Sequence, residues 1–180
     1  MIAMCCDSTF LASQAAEGHS LASLLAPAIT AHNAASRDLP ADLTIAIHLC
    51  RGNQPKGNFA AVGAFDDMLP TLFREMTHTR FALEFDNPEV TGGFESLRYL
   101  LLGKVVVLGL VMTKDSELES VEALNKRVFE AADVVAEGQG RTREEVLRDS
   151  LAVSPSCGFA NLKYACSPGR RMRWDVVADV

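Results

Sequence analysis

Four strand-like runs separated by helix-like segments are the feature of this chain that most constrains its fold. The runs are "LTIAIHLC" (43–50), "RFALEF" (80–85), "KVVVLGLV" (104–111) and "LAVSPSC" (151–157). Strands that alternate with helices are typical of parallel βαβ units, and near-continuous apolar runs such as 104–111 indicate strands covered on both faces. The sequence therefore predicts an α/β fold.

The clearest helix between these strands is predicted at 117–137, where apolar residues follow helical spacing. Ser116 and Glu119 form a capping-box pattern at its start, and Gly138 follows its end. Apolar residues at helical spacing predict further helices in the segments between the other strands.

The other helical segments carry their own start and stop signals. A helix is predicted at about 66–77 with Asp66 as its cap, and another over 20–35 with a kink at Pro27. A short capped helix is predicted to begin near Thr142, before the last strand.

Composition excludes several classes of function. The 180 residues carry a net charge of -6, which argues against a nucleic-acid-binding surface. Since no apolar run approaches the roughly 20 residues that span a bilayer, we expect a cytoplasmic protein without a membrane partner. The 5 cysteines are an odd number without disulfide-like spacing, which indicates free thiols or metal ligands.

The residues with the most chemistry lie where the predicted strands end: His48 and Cys50, Glu84 and Cys157. Side chains alternate along a strand, so His48 and Cys50 should point the same way. Two sulfurs, a nitrogen and a carboxylate suit zinc better than magnesium or calcium. Each residue also has an ordinary interpretation, because buried Cys and His are common in cores and a carboxylate is often paired with a cation.

Strand ends carry the functional residues of a (β/α)8 barrel and also those of a doubly wound sheet, so their position leaves both architectures open. The sequence contains about four predicted βα units, so if the fold is a barrel, this chain forms about half of it.

Other polar and glycine-rich stretches have structural interpretations. Asp86 and Asn87 are interpreted as a turn before a proline rather than as support for metal ligands, and "TGG" (91–93) and "GN" (52–53) as turns. The motifs GxGxxG and GxxxxGK are absent, so no phosphate-binding loop is predicted. The remaining cysteines are interpreted as ordinary thiols, and the remaining histidines as surface or helix residues: Cys5, Cys6, Cys166, His19, His32 and His78.

Four stretches resemble the C-terminal catalytic barrel of cobalamin-independent methionine synthase, particularly its shorter bacterial and fungal relatives. They are "HLCRGN", "LEFDNPEVTGGFESLRYL", "VVLGLVMTKDSELES" and "SPSCGFA". The resemblance implies one partial barrel domain over 1–180, the C-terminal half of a TIM (β/α)8 barrel. In that family zinc is held by the His and Cys of H-x-C, a Glu and a distant Cys, which carry over to His48, Cys50, Glu84 and Cys157.

The resemblance implies methyl transfer from 5-methyltetrahydropteroyltriglutamate to the thiol of homocysteine, with zinc activating that thiol. Relatives of the family also alkylate coenzyme M, so the acceptor stays open. The chain departs from the family pattern because it lacks the acidic residue for the homocysteine amino group and the earlier strands, and 163–180 match poorly. The alternative is a truncated, non-catalytic zinc-binding or partner-binding remnant, and a half-barrel is expected to self-associate or to pair with a partner half-barrel.

Overall fold

The structure is a computed structural model that describes residues 2–40, 42–52, 59–113 and 119–157. Two 3₁₀ helices, Ile2–Cys6 and Glu95–Tyr99, accompany the α-helices and strands. In chain order the α-helices and strands are α1 (Ser8–Ala16), α2 (Leu21–Ala35), β1 (Ala46–Leu49), α3 (Leu69–Glu75), β2 (Arg80–Glu84), α4 (Pro88–Thr91), β3 (Val105–Val111), α5 (Val121–Gln139), α6 (Arg143–Asp149) and β4 (Leu151–Pro155). No helix in these ranges is long and apolar enough to cross a membrane.

The strands form one parallel sheet in the order β1-β2-β3-β4, which is also their order along the chain. A doubly wound sheet reverses its strand order at a switch point, whereas a (β/α)8 barrel winds in one direction. The described sheet has no reversal. The predicted α/β class and all four strands are confirmed, and the sheet is consistent with part of a barrel.

Burial differs between the two faces of the sheet. Phe81, Leu83 and Leu108 are buried on one face, where Phe81 meets Phe73 of α3 edge to face at 5.0 Å between ring centroids. On the other face Val107 is only partly buried. The prediction that 104–111 is covered on both faces is therefore wrong for the described residues, because an apolar run cannot report whether a second layer is present.

Helix α5 begins later than predicted. Ser120 is its N-cap and accepts a hydrogen bond from the amide of Ala123 at 3.1 Å. Glu119 accepts instead from the amide of Met112 at 2.8 Å, at the end of β3. The predicted partner Ser116 lies outside the described residues. A capping-box pattern in sequence thus placed the helix correctly but not its first residue.

The end of α5 also differs from the prediction. Gly138 lies inside the helix, and Gly140, with φ of +64°, is the C-cap. A Cβ on Gly138 would lie 1.9 Å from the carbonyl oxygen of Arg98. Gly138 is therefore needed for close packing of α5 against the 3₁₀ helix Glu95–Tyr99, a requirement that sequence spacing does not reveal.

The remaining helix predictions are confirmed in place, with local corrections. Asp66 does not cap α3, whose N-cap is Met68 without a side-chain hydrogen bond. The helix predicted over 20–35 is α2, a single helix with Pro27 inside it. Thr142 caps α6, as predicted, and the structure adds a reciprocal capping box with Glu145.

Candidate metal centre

The side chains at the carboxyl ends of β1, β2 and β4 converge on one point. In β1 exposed and buried positions alternate, so His48 and Cys50 lie on the same side. Glu84 is the last residue of β2, and Cys157 follows the end of β4. The ligand atoms of these four residues all lie within 4.8 Å of one another. The structure therefore brings together every residue predicted as a ligand.

Two of the distances between ligand atoms are close to those of a tetrahedral zinc site. The Sγ atoms of Cys50 and Cys157 are 3.6 Å apart, and Zn–S bonds of about 2.3 Å in a tetrahedron separate two sulfurs by about 3.8 Å. His48 Nε2 lies 3.7 Å from Glu84 Oε1, where bonds of about 2.1 Å predict about 3.4 Å. Two sulfurs, one imidazole and one carboxylate are donors that suit zinc. The residues present therefore fit a zinc ion.

Hydrogen bonds to the backbone orient two of the four side chains, those of Glu84 and His48. Glu84 is fully buried, and its Oε2 accepts from the backbone amide of Arg51 at 3.1 Å. His48 Nδ1 lies 3.3 Å from the carbonyl oxygen of Ala82 on the neighbouring strand. When that nitrogen carries the proton, the other nitrogen, Nε2, is left free to bind a metal.

The electrostatic surroundings of Cys50 favour its neutral form when no cation is near. Burial, together with the negative charge of Glu84, raises the pKa of the Cys50 thiol to about 11, although the Gly52 amide, 3.4 Å from the sulfur, opposes this shift. A bound cation favours the deprotonated form of a ligating thiol. Grouping a thiol with a second thiol and a buried carboxylate is therefore unfavourable without a cation and favourable with one.

Gly109 of β3 allows the end of β4 to approach β2. It pairs with Glu84 on one side and Ser154 on the other. A Cβ at this position would lie 2.9 Å from the Cα of Ser156 and 2.9 Å from the carbonyl oxygen of Leu83. Because Gly109 has no side chain, the segment that carries Cys157 can lie close to β3 and β2.

Several of the structural interpretations can be checked directly. Asn87 caps α4 and accepts from the amide of Glu89 at 3.0 Å, as a turn residue would. His78 is not a surface or helix residue, because it is buried in the loop before β2. Cys6 is buried, and its Sγ lies 3.4 Å from Nη1 of Arg51. Cys166 lies outside the described residues.

Arg51 is the residue at this site that the sequence did not reveal. It is completely buried and directly follows Cys50. Arginine is mostly exposed in proteins, and an Arg-Gly pair after a strand is typical of a turn. No local pattern marks it as part of a site.

Comparisons with known proteins found two curated relatives of this chain. No protein-family model matches the chain. The chain is 34% identical over 143 residues to the uncharacterized protein YxjG of Bacillus subtilis (strain 168), covering 79% of the chain and 34% of YxjG. It is 37% identical over 151 residues to the uncharacterized protein YxjH of the same organism, covering 82% of the chain and 37% of YxjH. The chain thus spans about a third of the length of these curated relatives.

A solved structure resembles the fold. It is a putative vitamin-B12-independent methionine synthase from Listeria monocytogenes, with a TM-score of 0.59 and 26% sequence identity. The match covers 88% of this chain and 39% of the Listeria chain. The chain is therefore similar in fold to part of a protein assigned to that enzyme class.

Proposed function

We propose that this chain is part of a zinc-dependent methyltransferase of the cobalamin-independent methionine synthase type. The observation that carries the proposal is the convergence of His48, Cys50, Glu84 and Cys157 at the ends of the strands. The similarity to the Listeria protein and the four-stranded parallel sheet support it. The proposed zinc ligands are these four side chains.

Zinc bound here would supply Lewis acidity that lowers the pKa of an acceptor thiol and makes it a thiolate nucleophile. The chain's own residues would bind the metal ion and keep its ligands in position. With a metal bound, Cys50 and Cys157 would supply two thiolate sulfurs, and Glu84 would supply a buried carboxylate held by the Arg51 amide. His48 is 41% exposed, so it leaves the site accessible from the partly covered face of the sheet.

The proposed substrates are homocysteine as the methyl acceptor and a methyl-folate as the donor. Transfer requires both to be held within near-attack distance, and a misplacement of about 1 Å can cost on the order of a hundredfold in rate. The described residues supply the metal-ligand set but only four strands. We therefore expect the chain alone to bind zinc and to lack methionine synthase turnover.

The test follows methionine formation from homocysteine and methyl-folate at saturating zinc. The purified chain is assayed alone and mixed with a full-length relative, and coenzyme M replaces homocysteine in a parallel reaction. Zinc per chain is measured by elemental analysis in the same samples. Turnover of the chain alone at roughly 1 per second or more would refute the expectation that further strands are needed. The absence of bound zinc would refute the proposed function itself.

A second candidate is a non-catalytic domain that binds zinc or a partner. The partly exposed face of the sheet, on which Ala82, Val107 and Ala152 lie side by side, favours it. That face would be covered in a complete barrel or in a complex. Zinc binding without methyl transfer by the chain alone, and without any increase over the relative's own turnover in the mixture, would favour this candidate over the first.

A further inference from the structure

Arg51 has an unusual environment for an arginine. Its side chain is completely buried, and its guanidinium carbon lies 3.9 Å from the centre of the Phe65 ring. Burial lowers the pKa of the guanidinium, while the nearby Cys6, Glu84 and Asp86 act in the opposite direction. Arginine side chains retain their proton in proteins, so Arg51 is a buried cation next to an acidic ligand set.

The guanidinium group connects three separate segments. Nη1 donates to the carbonyl oxygen of Gly63 and lies 3.4 Å from Sγ of Cys6. Nη2 donates to the carbonyl oxygen of Thr91, at the end of α4, at 3.4 Å. A planar guanidinium has five donors in a fixed arrangement, which a lysine cannot reproduce. The side chain therefore fixes the position of the Arg51 backbone from three directions.

The backbone of the same residue acts on the metal site. Its amide donates to Oε2 of Glu84, and its carbonyl oxygen accepts from the amide of Ala60 at 2.6 Å. With Oε2 held in this way, Oε1 is the carboxylate oxygen that faces His48, at 3.7 Å. The next amide, that of Gly52, lies 3.4 Å from Sγ of Cys50. Two consecutive backbone amides thus point at two of the proposed ligands.

We propose that Arg51 is a positioning residue whose buried guanidinium fixes its own backbone amide against Glu84, so that this carboxylate presents Oε1 alone to the metal. The inference rests on the proposed zinc site and deepens it. Charge also favours the arrangement: two thiolates, one carboxylate and a divalent ion sum to a net charge of -1, which a neighbouring arginine cation balances.

The test measures zinc affinity by chelator competition and the absorption spectrum of the Co²⁺-substituted chain, without any activity assay. Arg51→Lys keeps the charge but removes the fixed donor geometry. Residues that orient metal ligands typically contribute about 10- to 100-fold to metal affinity, and we expect Arg51→Lys to weaken zinc binding by this factor. The Co²⁺ spectrum should change because the carboxylate is no longer held to one oxygen.

The matched control is Arg127→Lys, because Arg127 is partly buried and, like Arg51, lies over a phenylalanine ring, with its guanidinium carbon 5.1 Å from the centre of the Phe94 ring. It touches none of the proposed ligands, so it should leave zinc affinity unchanged. A double-mutant cycle with Glu84→Gln tests the route of the effect. If Arg51 acts through Glu84, Arg51→Lys should have little further effect on zinc affinity in the Glu84→Gln background.

Two outcomes of the Arg51→Lys experiments would overturn the inference: a folded variant with wild-type zinc affinity, or an equal loss of affinity in both backgrounds. If Arg51→Lys does not fold, Cys6→Ala removes one neighbour of the guanidinium and should weaken zinc binding about 2- to 12-fold, the value of one hydrogen bond. Unchanged affinity in that variant would also overturn it. A wild-type chain that binds no zinc would instead refute the proposed function.

Discussion

Replacing Cys157 by serine should remove one of the four proposed zinc ligands while leaving the sheet intact. Cys157 lies beyond the end of β4, and its Sγ contacts that of Cys50 at 3.6 Å. Structural zinc sites in small peptides bind with about 10–16 kcal/mol of apparent free energy, so an equal share for each of four ligands is about 2.5–4 kcal/mol. At about 1.4 kcal/mol per factor of ten, Cys157→Ser should weaken zinc binding roughly 60- to 700-fold.

The assay is competition with a chromogenic zinc chelator at neutral pH, combined with elemental analysis after dialysis. The matched control is Cys5→Ser, because Cys5 is a buried cysteine outside the ligand cluster. This control should keep wild-type zinc affinity even if it lowers the melting temperature. Equal zinc affinity in wild type and in a folded Cys157→Ser variant would refute the assignment of Cys157 and the reasoning from distances behind it.

Three further predictions follow from the packing. Gly109→Ala should weaken zinc binding about tenfold or more because its Cβ would displace Ser156. Gly103→Ala has no atom within 4 Å of its Cβ, so zinc affinity should be unchanged even though the φ of +82° strains an alanine and lowers stability. Burial, with His32 and Lys104 nearby, lowers the pKa of His78, so the folded state binds this proton less readily than the unfolded state. The free energy of unfolding should therefore fall as pH drops below about 6.5 in urea titrations, and His78→Asn should reduce that slope; equal slopes would contradict this. The partly covered sheet face should make the chain self-associate, and a monodisperse monomer by light scattering with cooperative unfolding would contradict this.

The sequence alone located the four strands, the helices α2, α3, α5 and α6, and the pair of proposed ligands that lie closest together in the chain. Apolar runs identified all four strands, because the tendency of such a run to be buried does not depend on its partners. The two-residue spacing of His48 and Cys50 placed both on one side of β1, since strand side chains alternate. Thr142 and its capping box are equally local, because all the hydrogen bonds involved lie within one turn.

Only the tertiary structure decided how distant residues meet. Cys50 and Cys157 are 107 residues apart in the chain, and their contact depends on the order of the strands, their register and the missing side chain at Gly109. The family resemblance implies that both are ligands of one metal, but no local sequence pattern predicts the distance between their sulfur atoms. The burial of Arg51 was invisible for the same reason, because its partners Cys6, Gly63 and Thr91 come from three other segments. Periodicity and caps act within a few residues, whereas the position of a side chain in the folded protein depends on contacts between segments far apart in sequence.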